Sequence, residues 1–218
     1  VLAVDADPNS NLGAKLGTEP GRTVGDLREE FASLGEGLPQ GMAKQEYIEY
    51  QIRLALKEGS GFDLLTMGRQ EGPGCYCYVN NLLRSFIDSL STKYRYIVVD
   101  NEAGMEHLSR RTTRASDVLA VICDSTRASQ RAAERIAHLA DDMRLSIRRK
   151  VLVYNALQPG EEDVPELGLQ GFDAVYGLTR SAQVRAATER DESLMSLPRT
   201  DPAFADVARI VDAERGIG

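Results

Sequence analysis

The sequence predicts an α/β fold of three layers, a mainly parallel sheet with helices on both faces. Two observations carry that expectation. Short apolar runs, several rich in Val or Ile, alternate along the chain with segments whose apolar residues recur at helical spacing. The runs also lack the in–out alternation of a half-exposed strand, as strands covered on both faces do.

Taken in order, residues 1–5 (VLAVD) form the first run. Residues 43–58 follow with helical spacing, carrying Tyr47, Tyr50, Ile52, Leu54 and Leu56. Residues 62–67 (FDLLTM) are the second strand. Residues 79–90 read as a helix through Leu82, Leu83, Phe86, Ile87 and Leu90. Residues 96–100 (YIVVD) and 118–123 (VLAVIC) are the third and fourth strands. Residues 128–143 form a helix through Ala132, Ile136, Leu139, Ala140 and Met143, with Ser125 and Thr126 as cap candidates. Residues 151–154 (VLVY) and, more weakly, 172–176 (FDAVY) complete the strands. A last helix spans 201–213, where Pro202 suits a first turn and Asp201 its cap. Residues 35–41 and 158–163 read as surface loops. With no repeat, low-complexity tract or linker, the expectation is one domain over residues 1–218.

Composition narrows the function. Of 218 residues, 27% are charged and the net charge is −7, so no global basic field draws in nucleic acid or anionic lipid. Arg110-Arg111 and Arg148-Arg149 read as solvated ends of elements. No run of about 18 apolar residues is present to span a membrane, and residues 1–7 do not form a secretory signal. Three cysteines in so long a chain argue against a disulfide framework, which favours a reducing, cytoplasmic setting.

Two strand ends carry acids. Asp5 is followed by Ala6-Asp7, and Asp100 by Asn101-Glu102-Ala103-Gly104. Ligands of open parallel sheets bind beyond the carboxyl ends of the strands. An acid buried there needs a cation or hydrogen-bond donors, and hydrated Mg2+ with nucleotide phosphates is a natural partner. A single such Asp would be read as a helix cap; two in this pattern favour the ligand.

Residues 4–12 (VDADPNSNL) resemble the switch I region of MinD/ParA-type P-loop ATPases, and 96–104 (YIVVDNEAG) resemble their Walker B strand running into switch II. The wider stretches VLAVDADPNSNLG, GRQEGPGCYC and DNEAGMEHLSRRT resemble one subgroup, the CooC-type accessory ATPases that mature nickel-containing carbon monoxide dehydrogenase. This resemblance covers nearly the whole chain. It implies ATP with Mg2+ as cofactor, with Asp100 in the Mg2+–water network and Asp7 orienting the attacking water. It places Asp5 in support of the metal shell, Gly104 with its N–H near the γ-phosphate, and Asn155 at the adenine. From the residues alone, Asn155 is equally a turn residue.

A P-loop reads G-x-x-x-x-G-K-[ST]. The five lysines, Lys15, Lys44, Lys57, Lys93 and Lys150, never follow a glycine. In the family a strand, the glycine-rich loop and a helix precede the VLAVD strand, about thirty residues for such a unit. The expectation is therefore an N-terminally truncated sequence. As written it would bind ATP weakly and hydrolyse none, and two sheet edges would be left raw.

Cys75-Tyr76-Cys77 follows Gly72-Pro73-Gly74. Residues two apart in an extended segment point to the same side, so both thiols can face one ion. A two-fold homodimer would then present four sulfurs to Ni2+ or Zn2+. A C-x-C alone is equally a pair of buried cysteines; the glycines before it and the CooC-type pattern favour metal. Cys123, His107 and His138 read as structural. The leading expectation is an ATP-dependent nickel-delivery factor, a homodimer whose client is carbon monoxide dehydrogenase, with no nucleic acid or membrane partner. The alternatives are a MinD/ParA-type positioning ATPase, disfavoured by a short acidic C-terminus, and a non-catalytic metal-binding scaffold.

Overall fold

The computed structural model of the chain describes residues 1–19, 21–34, 44–68, 90, 92–102, 115–161 and 164–215. Two compact units are present, Val1–Ala103 and Gly104–Gly218, each with its own sheet. Among the described residues no helix is long and apolar enough to cross a membrane.

In the first unit, β1 (Leu2–Asp5), β3 (Asp63–Thr66) and β4 (Ile97–Asp100) run parallel with β1 in the centre, and β2 (Lys57–Glu58) pairs antiparallel with β3. All four residues of β1 are buried, which explains an apolar run without alternation. Leu2, Val4, Leu65 and Met67 pack with Val24 and Leu27 of α2 (Val24–Leu34) and Ile52 and Ala55 of α3 (Lys44–Ala55). The sequence signals α2 through a capping box: Asp26 N–H donates to Thr23 Oγ1 (3.0 Å) and Thr23 N–H to Asp26 Oδ2 (2.8 Å).

The helix expected over 43–58 instead stops at Ala55. Gly59 N–H donates to the Phe62 carbonyl and Gly61 takes φ +85°, so a glycine-bearing turn folds 57–58 back as the edge strand β2. Of the helix expected over 79–90, only Leu90 lies within the described residues, and it is buried in this core.

The second unit is a parallel sheet in the order β5 (Ala115–Cys123), β6 (Ser146–Leu157), β7 (Ala174–Thr179). The helix α4 (Arg127–Asp142) begins at the expected cap, where Thr126 Oγ1 accepts from Ser129 N–H. It buries Ala133, Ala137 and Ala140, small side chains on one helical face. Helices α5 (Ala182–Glu189) and α6 (Pro202–Arg215) follow. Asp201 caps α6 by accepting from Ala203 N–H and also accepts the Ser181 hydroxyl, the cap of α5.

Strand β6 starts five residues before the apolar run 151–154 that predicts it. Ion pairs permit this: Lys150 Nζ lies 2.6 Å from Asp141, and Arg149 Nε lies 3.0 Å from Glu214 of α6. Tyr176 OH donates to the same carboxylate at 2.6 Å, and this raises its pKa. Arg149 is therefore not a solvated strand end.

Among the described residues β4 and β5 each hydrogen-bond to a strand on one side only. Gly177 on β7 is buried, and a Cβ there would lie 2.2 Å from Leu157 Cδ1 and 3.1 Å from Val164 Cγ2. Gly177→Ala is expected to cost about 1–3 kcal/mol through overpacking. Urea denaturation measures this, and an unchanged midpoint would show that Leu157 can move aside.

Candidate nucleotide site

The carboxyl ends of the three parallel strands in the first unit lie side by side. Asp5 pairs in register with Thr66 on one side and with Asp100 on the other. The ladder continues one residue further, with Ala6 N–H donating to Asp100 O and Met67 N–H to Asp5 O, both at 2.8 Å. Thr66, 2% exposed, is a buried hydroxyl residue at this edge that sequence reasoning missed. Its only sequence signal is its place as the last residue before Met67-Gly68.

Asp5 has no solvent exposure. Its Oδ1 accepts from Asp7 N–H at 3.2 Å and its Oδ2 from Leu12 N–H at 3.0 Å. Leu12 opens the short helix α1 (Leu12–Lys15). Asp7 is half-buried, and its Oδ1 accepts both the backbone N–H (2.8 Å) and the side-chain amide (2.9 Å) of Asn9. Ser10 N–H donates to Asp7 O, and Ser10 sits at φ +54°. DADPNSNL thus folds through two successive Asx turns that share Asp7, with Pro8 restricting the backbone at the centre of the second.

Burial pushes the Asp5 carboxyl above its ordinary range against the lowering effect of its two N–H donors, with the charges of Asp100 and Asp7 adding to the rise. Desolvation and then Asp7 raise Asp100 as well. A carboxyl held above its unfolded pKa binds its proton more tightly in the folded chain. That advantage is present below the ordinary carboxylate range and is lost as pH rises through the folded value. The Asp100 side of β4 is exposed to solvent, which screens this effect, so Asp100→Asn is expected to raise the melting temperature at neutral pH only slightly, with the gain shrinking in acid. Melts across pH test this, and a variant less stable at neutral pH would contradict it.

This strand edge suits a cation shared with phosphate. No hydrogen bond to the Asp100 carboxylate is found among the described residues, so its oxygens are available, whereas both Asp5 oxygens are engaged. No group of three or more His, Cys, Asp and Glu is arranged to hold a metal among the described residues. One carboxylate with phosphate and water is what Mg2+ accepts.

Asn155, expected just after a strand, lies inside β6, where the pairing with β7 is irregular between Tyr154 and Leu157. The run VLVY ends before the strand does because pairing continues through that irregularity. Asn155 is exposed. Cys123 is buried at the end of β5, as expected of a core residue, and burial raises its thiol pKa. His138 lies on the exposed side of α4. Gly104, Cys75, Cys77 and His107 lie outside the described residues.

No protein-family model matches the chain. It is 40% identical over 219 residues to an uncharacterized ATP-binding protein of Methanocaldococcus jannaschii, across 97% of this chain and 85% of that one. A second uncharacterized ATP-binding protein of that organism is 30% identical across 78% of this chain and 71% of its own length. The carbon monoxide dehydrogenase accessory protein CooC of Rhodospirillum rubrum is 28% identical across 98% of this chain and 84% of its own. Among solved structures, the MinD cell division protein of Aquifex aeolicus matches with a TM-score of 0.65 at 19% identity, across 99% of this chain and 82% of that one. A ParA family ATPase of Chlorobium tepidum matches at 0.65 and 15%, across 100% and 85%. The fold is therefore that of the MinD/ParA-like P-loop NTPases, a mainly parallel α/β fold, and the chain belongs to a family of ATP-binding proteins built on it.

Proposed function

We propose that this protein is an ATP-dependent maturation factor that delivers nickel to a carbon monoxide dehydrogenase, working as a homodimer in the cytoplasm. The observation that carries the nucleotide half is the in-register pairing of Asp5 with Asp100 at adjacent strand ends, directly before a loop that holds Asp7. Cys75-Tyr76-Cys77 supports the metal half, together with the similarity to CooC across 98% of the chain.

Mg2+, bound together with ATP, would neutralise charge on the β- and γ-phosphates. Asp100 would hold the metal's water shell. Asp7, whose Oδ1 is engaged by Asn9, would use Oδ2 to accept a proton from water and orient it toward the γ-phosphorus. Gly104 would bring a backbone N–H to the γ-phosphate, and Asn155 an amide to the adenine. Cys75 and Cys77 from two subunits would carry Ni2+, with Zn2+ as the other ion suited to four thiolates.

The test is activation of nickel-free carbon monoxide dehydrogenase by the nickel-loaded full-length protein. Activation should require ATP and fail with a non-hydrolysable analogue. Equal activation with no nucleotide would defeat the proposal.

One observation favours the second reading, a MinD/ParA-type positioning ATPase. Arg127, Arg131 and Arg135 are exposed at every fourth residue of α4, a basic row on an acidic chain. ATP-dependent DNA binding that weakens with salt and is lost in Arg131→Glu/Arg135→Glu would support it.

A further inference from the structure

We infer that Asp5 is a positioning residue, whose carboxylate ties the two ends of the Ala6–Asn11 loop together and so holds Asp7 in place, rather than a ligand of the metal shell. It rests on the nucleotide-site reading for what Asp7 does, but not for the loop itself.

Three features of the fold point this way. The side chain has no solvent exposure, and both oxygens accept backbone N–H groups, one from Asp7 as the chain leaves β1 and one from Leu12 as it enters α1. One carboxylate therefore closes a ring around the whole loop; each oxygen keeps a second lone pair, but a cation that drew the carboxylate toward itself would stretch an N–H bond that has no other acceptor among the described residues. Second, Ser10 occupies the left-handed region at φ +54°, a conformation that a non-glycine residue keeps only where its surroundings over-determine it. The Asp5–Leu12 bond on one side and the Asp7–Asn9 turn on the other supply that constraint. Third, Asp100 lies beside Asp5 in register with its carboxylate unbonded among the described residues, so the edge already holds an oxygen ligand for Mg2+. Each acid then has its own role, with Asp100 serving the metal, Asp7 the water, and Asp5 the shape of the loop between them.

The experiment is backbone amide exchange by NMR in the full-length protein, free of nucleotide and of Mg2+, for wild type, Asp5→Asn, Asp5→Ala and Asp7→Ala. Asp5→Asn retains one acceptor oxygen and substitutes an NH2 for the other. It should speed exchange at Leu12 or Asp7 by about tenfold or more, while amides of β3 remain protected. Asp5→Ala should expose both, and Asp7→Ala should leave Leu12 protected. If Asp5→Ala does not fold, the isosteric Asp5→Asn carries the test. In ATP turnover, Asp5→Asn should lower kcat while the half-saturating Mg2+ concentration stays within about twofold, because an interaction that only orients the water leaves metal binding alone. Unchanged exchange at both amides in Asp5→Asn, or a tenfold rise in the Mg2+ requirement, would overturn the assignment and return Asp5 to the metal shell. Wild-type protein without ATP turnover would defeat the nucleotide reading, and the exchange arm would still decide what Asp5 does to the loop.

Discussion

Asp7→Ala is expected to lower ATP turnover by the full-length protein about a hundred-fold or more, the usual scale for losing a positioned proton acceptor. Its melting temperature should change little. The reason lies in where the Asp7 bonds go: among the described residues its carboxylate hydrogen-bonds only with Asn9, two residues on. The loop keeps its closure through Asp5 and Leu12 when the Asp7 side chain is removed, because Asp5 accepts the Asp7 backbone N–H rather than the side chain. Asp7→Asn is the informative companion. Its amide oxygen can still accept the Asn9 bonds, so the turn survives while the charge is lost. Equal loss in both variants assigns the effect to the charge that accepts a proton. Full activity in Asp7→Asn would mean that the residue only shapes the turn, and full activity in Asp7→Ala would remove it from the reaction.

Cys75→Ala and Cys77→Ala, made separately, should each abolish tight Ni2+ and Zn2+ binding, taking the content from about one ion per two chains to almost none. Dimerisation should weaken in parallel. A tetrathiolate site loses far more than a quarter of its stability when a ligand goes, because the two-fold arrangement removes two of four sulfurs with one substitution. Elemental analysis combined with light scattering reads both quantities on one sample. Metal content unchanged in both variants would place the ion elsewhere. Metal lost with the dimer intact would separate the interface from the metal. A wild-type protein that dimerises on ATP without any metal would favour the positioning ATPase.

Part of the fold was legible because β1, β3 and residues 151–154 of β6 are covered on both faces. Runs such as VLAVD and VLVY are apolar at consecutive positions, and such runs mark buried parallel strands wherever they stand. Local hydrogen-bond chemistry made the caps legible too, Thr126 for α4 and Asp201 for α6. The charged start of β6 was not legible. Arg149 reads as the solvated end of an element, whereas in the fold Glu214 of α6 pairs with it and Asp141 of α4 pairs with Lys150 beside it. Nor was the end of α3, where the periodicity runs on but the glycines at 59 and 61 turn the chain into a hairpin.

The same boundary runs through the site. Residue type and separation, which the covalent chain carries, already say that acids stand at two strand ends and that Asp7 follows Asp5 across Ala6. They say also that two cysteines share a spacing fit for one ion. Folding adds that Asp5 and Asp100 are neighbours in register, that Asp5 accepts from Asp7 and Leu12, and that the Asp100 carboxylate carries no hydrogen bond among the described residues. Strand register and the choice of hydrogen-bond partner arise when segments distant in sequence close around a shared core. No local pattern encodes which of several like carboxylates that closure will satisfy.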